Sequence, residues 1–448
     1  MPPVLSLCTG SPKGKRCLTA TGDLRTSRVR LRLPYSIAQE GDIMNIAKKI
    51  YCRLFQFGFK VAIPLLPYRS PHILNKVDEI PQLLKKKDIN NVMLVTDEQI
   101  RKFGITKRLE LILKEQGFKL TVYDKVQSNP TVRIVEEARQ QYIQNNCQAL
   151  IGFGGGSSMD CAKAVGALIA RPKSTLEDLG GILRVWARTP YTIAIPTTAG
   201  TGSETTVAAV ILDDETGHKY ALMDFPLIPD VAVLDPETTR TLPPKITAGT
   251  GMDTLAHAVE AYIGRSTTRQ TRREALRCVR LVFKYLERAV KNGNDMQARR
   301  GMLRASYLGG CAFTVSYVGY AHAVSHSLSG RYNLPHGETT ALLLPYVLEA
   351  YGTAIYPQLK ALAIAAGIAH MDTDETFAAQ SFIRAVWELN RRIGIGSHIP
   401  AIKPEDIDKM AQMADAEGNP VYPVPVLMDA KQLKRFYVDV YEQGGTRA

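Results

Sequence analysis

Short apolar runs alternate with longer amphipathic segments between residues 90 and 235. The compact apolar runs predict buried strands, whereas apolar residues that recur every three or four positions predict helices, as in 97–115 and 157–170. Strands that alternate with helices are typical of an α/β fold with a doubly wound parallel sheet. The predicted strands are residues 91–96, 119–123, 149–153, 191–195 and 231–234.

Beyond residue 235 the pattern changes to helical periodicity, as in 274–291 and 298–313. Pro236, Pro243 and Pro244 interrupt the chain where this change occurs, and such prolines commonly mark a boundary. The sequence therefore predicts an α/β N-terminal domain at residues 71–238, followed by an all-α C-terminal domain at residues 239–448.

The first 70 residues differ from the rest of the chain in charge. They contain twelve Lys/Arg and three Asp/Glu, so +9 of the net charge of +13 lies there. Residues 1–43 have no helical periodicity and no apolar signal-peptide core, which predicts a disordered or dispensable basic leader, with an organellar transit peptide as the alternative. Residues 44–70 predict an amphipathic arm that docks on its own protein or, as the weaker alternative, contacts a membrane surface.

The overall composition, 45% hydrophobic and 22% charged, is that of an ordinary globular protein. Because the chain after residue 70 carries only +4 (13 minus 9), we expect no nucleic-acid partner. Residues 50–68 are apolar but contain charges and prolines, so we expect no transmembrane segment. The seven cysteines show no C-x-x-C spacing, which favours reduced thiols and a cytoplasmic location.

A glycine run follows the predicted strand 149–153 and precedes a helix rich in small residues. Gly154, Gly155 and Gly156 would let the backbone approach a phosphate, and the helix N-terminus would supply N–H donors. The run lacks the usual G-x-G-x-x-G spacing, and no acidic residue lies at a clear strand end about 20 residues later. Nucleotide binding and simple tight packing both remain open on this evidence.

Histidines are concentrated in one part of the chain. Asp253 and His257 are four residues apart, His322 and His326 repeat that spacing, and His336 follows. On a helix, residues four apart project from one face. Either pair alone could be an exposed pair or a helix cap, but four of the eight histidines fall within 84 residues. The cluster predicts a metal site suited to zinc or ferrous iron.

These residues stand within two longer motifs, and the sequence resembles the iron-containing (group III) alcohol dehydrogenase family over about residues 70–440. The first motif runs from Leu234 to Glu260, and the second runs from Gly319 to Thr339. The resemblance implies that 71–238 binds a dinucleotide and that 239–448 is the metal-binding catalytic domain. The implied metal ligands are Asp253, His257, His322 and His336, and His326 is similar to the family histidine near the nicotinamide that is assigned to proton relay.

The resemblance also implies the cofactor contacts. Asp97, at the end of the strand 91–96, would bind the ribose 2′-hydroxyl, which predicts NAD rather than NADP; capping of a helix is the other role open to this residue. Each of two further residues has an alternative role without a cofactor: Asp160 is an ordinary acidic residue in the first turn of a helix, and Lys219 is an ordinary exposed lysine in a hairpin. The implied contacts are Asp97, Asn129, Gly155, Gly156, Ser157, Asp160, Thr197, Thr198, Thr201 and Lys219.

The expected reaction is the NAD(H)-dependent oxidation of a small primary alcohol to an aldehyde, or the reverse, with Fe2+ as the metal and Zn2+ as the alternative. A zinc polyol dehydrogenase similar to glycerol dehydrogenase and a lyase similar to 3-dehydroquinate synthase are the alternative functions. The stretch 313–320 is bulkier than in relatives and is expected to narrow or polarise the substrate pocket. A homodimer or larger homo-oligomer is expected.

Overall fold

The computed structural model describes residues 44–215, 217 and 219–442 of the 448-residue chain. The predicted basic leader, residues 1–43, lies outside the described residues. Within them, no helix is both long and apolar enough to cross a membrane.

Among the described residues, nine strands form two sheets, both in the N-terminal half. The larger sheet has six strands, all parallel, in the order β1-β9-β6-β4-β2-β3, and the smaller has the order β5-β8-β7. The predicted parallel sheet is therefore confirmed. The strands are β1 (His72–Leu74), β2 (Asn91–Val95), β3 (Lys119–Tyr123), β4 (Ala149–Gly154), β5 (Gly181–Ile182), β6 (Tyr191–Pro196), β7 (Ala208–Leu212), β8 (Lys219–Met223) and β9 (Val231–Val233).

Helices cover both faces of the larger sheet, because alternate residues of a strand point to opposite sides. Val92 and Leu94 join one core with the helices α2 and α4, whereas Met93 and Val95 join a second core with α5 and α6. The sheet is thus doubly wound, as predicted. The N-terminal helices are α1 (Ile46–Ala62), α2 (Ile80–Lys86), α3 (Glu98–Lys102), α4 (Lys107–Glu115), α5 (Val132–Gln144) and α6 (Gly156–Ala170).

Two local predictions were wrong or incomplete. The single helix predicted at 97–115 is divided into α3 and α4, because Gly104 adopts a left-handed conformation with φ of 72° between them. The small sheet was not predicted: β7 and β8 pair antiparallel as a hairpin, and β5 is only two residues long. Lys219 opens β8 at the end of this hairpin.

The C-terminal half is helical, and no strand follows β9 among the described residues. Helix α7 is buried along nearly all of its length and packs against α8, α9 and α11. Such a position places polar side chains of α7 inside the protein. The helices are α7 (Pro244–Ile263), α8 (Arg269–Lys291), α9 (Met296–Ser316), α10 (Tyr320–Tyr332), α11 (His336–Tyr351), α12 (Tyr356–Ala366), α13 (Glu375–Arg392), α14 (Pro404–Gly418) and α15 (Ala430–Glu442).

Helix α1 packs with one face on the C-terminal half. Arg53 donates to the carbonyl oxygens of Val424 and Pro425, each at 2.8 Å, and the Gln56 amide donates to the carbonyl of Tyr422 at 2.8 Å. Lys48 forms an ion pair with Asp415 at 2.7 Å. The inner face of the helix is therefore fixed by polar contacts.

Candidate metal centre and cofactor cleft

Three helices bring one carboxylate and three imidazoles together. Asp253 and His257 lie on successive turns of α7, His322 lies in the first turn of α10, and His336 begins α11. Asp253 Oδ1 lies 3.4 Å from Nε2 of His322, 3.4 Å from Nε2 of His336 and 4.0 Å from Nε2 of His257. The coordinating atoms of Asp253, His322 and His336 all lie within 4.8 Å of one another.

The hydrogen bonding of this cluster fits a cation. Asp253 Oδ1 and His322 Nε2, which lie 3.4 Å apart within the cluster, are both buried without a hydrogen-bond partner. Buried polar atoms normally have a partner, because leaving one unsatisfied costs about 1–3 kcal/mol. A carboxylate oxygen with imidazole nitrogens around it is the donor set that zinc and ferrous iron accept. The residues present therefore fit a divalent metal ion.

The protonation states of His257, His336 and Asp253 also suit metal binding. Burial lowers the pKa of His257 to about 3, and burial likewise lowers the pKa of His336, so both imidazoles are neutral. Burial raises the pKa of Asp253, but attraction to any protonated imidazole of the cluster and the contacts with His322 and His336 outweigh this effect, and the net pKa lies well below the ordinary value. An anionic carboxylate and neutral imidazoles are the forms that ligate metals.

Glu260 holds His322 from the side away from Asp253. Its Oε2 lies 2.5 Å from His322 Nδ1, and it accepts the backbone N–H groups of Gly319 and Ala321 at 2.9 and 2.8 Å. Burial lowers the pKa of His322, but the carboxylates of Glu260 and Asp253 outweigh it and raise the pKa to about 10. This imidazole therefore releases a proton when it binds a metal ion. Glu260 was not predicted as a site residue, although it lies seven residues after Asp253 and so on the same face of α7.

Close backbone packing brings His336 to the other ligands. A Cβ atom on Gly337 would lie 2.5 Å from the carbonyl oxygen of Gly249, so α11 begins directly against α7. The hydroxyl of Ser325, on α10, lies 3.2 Å from His336 Nδ1 and orients this ring. The two glycines therefore determine how closely His336 approaches Asp253.

His326 stands beside the cluster and more open to solvent, with 42% of its side chain exposed. Its ring stacks on that of His336 with a centroid distance of 4.9 Å. Its Nδ1 lies 2.6 Å from Oε1 of Glu417, which also accepts the Tyr422 hydroxyl at 2.6 Å. A carboxylate at Nδ1 favours the proton on that nitrogen and leaves Nε2 as the acceptor. Glu417 and Tyr422 were not singled out in the sequence, because they lie about 90 residues away.

The glycine run forms the turn between β4 and α6. Gly154 has a φ of 159°, and a Cβ there would lie 3.5 Å from Asp97 Oδ2. Around Gly155 and Gly156 the nearest side chains are Thr198 and Thr201, at 3.8 and 3.1 Å from the Cβ positions. Asp97, at the end of β2, also caps α3 by accepting the N–H of Ile100 at 2.9 Å. The turn, the acid and the threonine loop thus share one edge of the sheet.

The remaining predicted cofactor residues divide into two groups. Asn129, Ser157 and Lys219 form one group beside the glycine turn. The Asn129 N–H donates to Ser157 Oγ at 3.3 Å, and Lys219 Nζ donates to Asn129 Oδ1 at 2.7 Å. Asp160 and Thr197 are turned inward. Asp160 accepts from the Ser203 hydroxyl and the Val210 N–H at 2.6 and 3.1 Å, and Thr197 is buried.

The loop 197–201 connects the glycine turn to α7, the helix that carries Asp253 and His257. Thr254 follows Asp253 on α7, and its hydroxyl donates to the carbonyl oxygens of Ala199 and Gly200 at 3.1 and 3.3 Å. A few residues later the two halves touch through backbone, since a Cβ on Gly310 would lie 3.0 Å from Cα of Gly202. The predicted cofactor site and the metal cluster are therefore neighbours across one loop.

Comparison with known proteins decides the family. A profile described as iron-containing alcohol dehydrogenase matches residues 73–236, and a profile described as Fe-containing alcohol dehydrogenase family, C-terminal, matches residues 247–441. The chain is 37% identical over 351 residues to alcohol dehydrogenase 4 of Schizosaccharomyces pombe, which covers 77% of this chain and 82% of that protein. The chain belongs to the iron-containing alcohol dehydrogenase family. The resemblance inferred from the sequence is confirmed, and the protein is an oxidoreductase.

Other members of the iron-containing alcohol dehydrogenase family show the same likeness. The NAD-dependent methanol dehydrogenase of Bacillus methanolicus is 35% identical over 340 residues, covering 75% of this chain and 89% of that one. The solved structure of a 1,3-propanediol oxidoreductase superposes with a TM-score of 0.80 and 30% identity, covering 84% of this chain and 98% of that one. The α/β plus all-α fold is thus that of the iron-containing alcohol dehydrogenases.

One side of the metal cluster of this iron-containing alcohol dehydrogenase is apolar. The ring of Phe313 stacks on His257 with a centroid distance of 4.1 Å and an interplanar angle of 14°. Tyr317, four residues on, ends α9 with a φ of 61° and packs edge-on against Phe59 of α1. The bulky stretch 313–320 therefore lies between the metal cluster and α1.

Proposed function

We propose that this protein catalyses the NAD(H)-dependent oxidation of a small primary alcohol to an aldehyde, and the reverse reduction. The catalytic unit comprises a cofactor-binding part at 71–238 and a metal-binding part at 239–448. The observation that carries the proposal is the loop 197–201, which contacts the glycine turn on one side and α7 beside Asp253 on the other. A dinucleotide on the turn and an alcohol at the histidines would then lie within reach of hydride transfer.

The metal-binding residues are Asp253, His257, His322 and His336. A divalent cation there supplies Lewis acidity that lowers the pKa of an alcohol oxygen, and nicotinamide supplies the hydride acceptor. Glu260 fixes the ring of His322, and Ser325 fixes that of His336. Rigid partners of this kind keep a ligand set in place and increase its affinity for metal. The donor set accepts both Fe2+ and Zn2+, and we propose Fe2+ from the family.

His326 is proposed to carry the hydroxyl proton away. Glu417 accepts from Nδ1, so Nε2 is the nitrogen that can receive a proton. The exposed part of the ring faces solvent, where that proton can be released. Tyr422 donates to Glu417 and holds the carboxylate in position.

NAD is the proposed cofactor. Asp97 lies at the end of β2 beside the glycine turn, where a carboxylate accepts a hydrogen bond from a ribose 2′-hydroxyl and repels a 2′-phosphate. Arg101 is the cation nearest along the chain, but it is engaged by Asp124 at 2.6 Å and by Glu110 at 3.6 Å. It is therefore not free to neutralise a phosphate.

The position of Phe313 favours the proposal that the substrate is small. Its ring covers one face of His257 and places apolar surface beside the cluster, which favours a short alkyl chain over a polyol. A cytoplasmic location is proposed because the five cysteines among the described residues are free and buried.

A substrate panel tests the proposal. Protein reconstituted anaerobically with Fe2+, and in parallel with Zn2+, is assayed by NADH absorbance with methanol, ethanol, 1-butanol, 1,3-propanediol, glycerol and 2-propanol. We expect kcat/KM for the primary alcohols to exceed that for glycerol by at least tenfold, which corresponds to about 1.4 kcal/mol. Turnover of glycerol alone would favour a polyol dehydrogenase, and no turnover by the metal-loaded protein would refute the proposal.

A further inference from the structure

The outward face of α1 carries a continuous apolar stripe. Its residues are spaced by three or four positions, so they share one side of the helix, and all are exposed, Ile46 at 71%, Phe57 at 66% and Leu65 at 85%. Tyr51 and Phe55 extend the apolar surface to one side. Of the eighteen large apolar side chains that are exposed in the described residues, eight lie between positions 46 and 65. The stripe is Ile46, Ile50, Leu54, Phe57 and Val61 of α1, continued by Leu65 in the 3-10 turn Ile63–Leu65 that follows the helix.

The stripe cannot be buried by rotating α1 about its own axis. Arg53, Gln56 and Lys48 bind the C-terminal half from the opposite side, and Cys52 and Gln56 are already buried there. Rotation of α1 would break these polar contacts and leave their carbonyl partners without donors. Exposed apolar surface of this extent marks an interaction site in folded proteins.

Charge around the stripe identifies the kind of partner. Residues 44–70 contain five Lys/Arg and no Asp/Glu, and three of the five, Lys48, Arg53 and Arg69, are engaged by the protein itself. Lys49 and Lys60 are exposed on the side of the stripe opposite Tyr51 and Phe55. An apolar face that is rimmed by lysines and contains aromatic residues is typical of helices that lie in the surface plane of a bilayer with anionic lipids.

A second copy of the chain fits this face less well. In a two-fold contact the same patch faces itself, so the cations of both helices would be brought together.

We propose that α1 attaches this enzyme to the surface of an anionic lipid bilayer. The helix lies in the plane of the membrane, with the stripe among the lipid acyl chains and with Lys49 and Lys60 at the phosphates. The inner face remains docked on the C-terminal half, so the enzyme is held at the surface without a spanning segment. This attachment is independent of the alcohol substrate.

Vesicle sedimentation of the full metal-loaded chain tests this proposal. The probes are vesicles of phosphatidylcholine alone and of phosphatidylcholine with about one third phosphatidylglycerol, at low and high salt. We expect binding to the anionic vesicles that weakens as salt rises. Leu54→Glu/Phe57→Glu should reduce the partition coefficient at least tenfold for both vesicle types. Lys49→Glu/Lys60→Glu should reduce it at least tenfold for the anionic vesicles only.

The matched control is Met371→Glu/Phe377→Glu, which places two charges on exposed apolar positions elsewhere, 79% and 62% exposed. It should bind vesicles as the wild type does. All variants should retain the wild-type kcat with a soluble alcohol, which separates membrane binding from catalysis and from misfolding. Failure of the wild type to sediment, or equal sedimentation of the Leu54/Phe57 variant, would overturn the proposal. If the wild type does not bind vesicles and the Leu54/Phe57 variant has a lower molar mass by light scattering than the wild type, the stripe is instead a contact between two copies of the chain.

Discussion

Oε2 of Glu260 lies 2.5 Å from Nδ1 of His322, on the side of the imidazole opposite the metal-facing nitrogen. The same carboxylate accepts two backbone N–H groups at the start of α10. Gly319 is required at this point, because a Cβ there would lie 2.7 Å from Oε1 of Glu260. One side chain of α7 thus fixes both the ring of His322 and the first turn of its helix.

Replacing Glu260 by glutamine should lower metal affinity 10–100-fold, the usual effect of removing a carboxylate partner from a ligating histidine. The amide retains the size but loses the charge that favours the correct His322 tautomer. The metal dissociation constant, measured by competition with a chelator, checks this. Glu274→Gln, a half-buried carboxylate on α8, is the control and should bind metal as the wild type does. Unchanged affinity in Glu260→Gln would show that this carboxylate does not position His322 for metal binding.

His257→Ala and His336→Ala should each lose bound metal, and turnover should fall at least about 100-fold. Removing a metal ligand is expected to weaken metal binding more than removing a residue that only positions a ligand, such as Glu260. Their circular dichroism should match that of the wild type. Metal analysis after gel filtration, with the exposed His370→Ala as control, gives the measurement. Stoichiometric metal together with full activity in either variant would remove that histidine from the site.

The wild type should prefer NAD to NADP by at least about tenfold in kcat/KM. A repulsion of about 1.4 kcal/mol between the Asp97 carboxylate and the 2′-phosphate of NADP is sufficient for a tenfold preference. Asp97→Gly should gain activity with NADP. Asp97→Asn separates charge from structure, since asparagine caps a helix as well as aspartate does, and should relax the preference without lowering Tm. Equal use of both cofactors by the wild type would refute the assignment.

Glu204 should make stability fall as pH rises. Burial raises its pKa from 4.5 to about 7, so between these values the folded protein retains a proton that the unfolded chain has released. The free energy of unfolding therefore decreases across that window, by at most about 3 kcal/mol. Glu204→Gln should not show this decrease. The measurement is the calorimetric Tm at several pH values, with the exposed Glu388→Gln as the control. If Tm falls with pH in Glu204→Gln as steeply as in the wild type, the prediction is wrong.

Sequence periodicity predicted much of the fold, because strands buried on both faces and helices buried on one face differ in apolar spacing. It failed at 103–106, where a single left-handed glycine divides a helix, and at β7 and β8, which were not predicted as strands. Asp253 and His257 could be placed on one helix face from their spacing alone. The proximity of His336 was implied by the family resemblance and not by helical spacing, because it depends on the approach of Gly249 and Gly337 across 88 residues.

The backbone contact between Gly202 and Gly310 has a mechanical consequence. Because the cofactor half and the helical half touch there without intervening side chains, they cannot separate at that point without losing the contact. Any movement of the two halves that keeps this contact must therefore be a rotation about a point near these glycines. Thr254 is bonded to the same loop one residue from Asp253, so such a rotation would displace Asp253 little. It would displace most the parts of the two halves that lie farthest from these glycines.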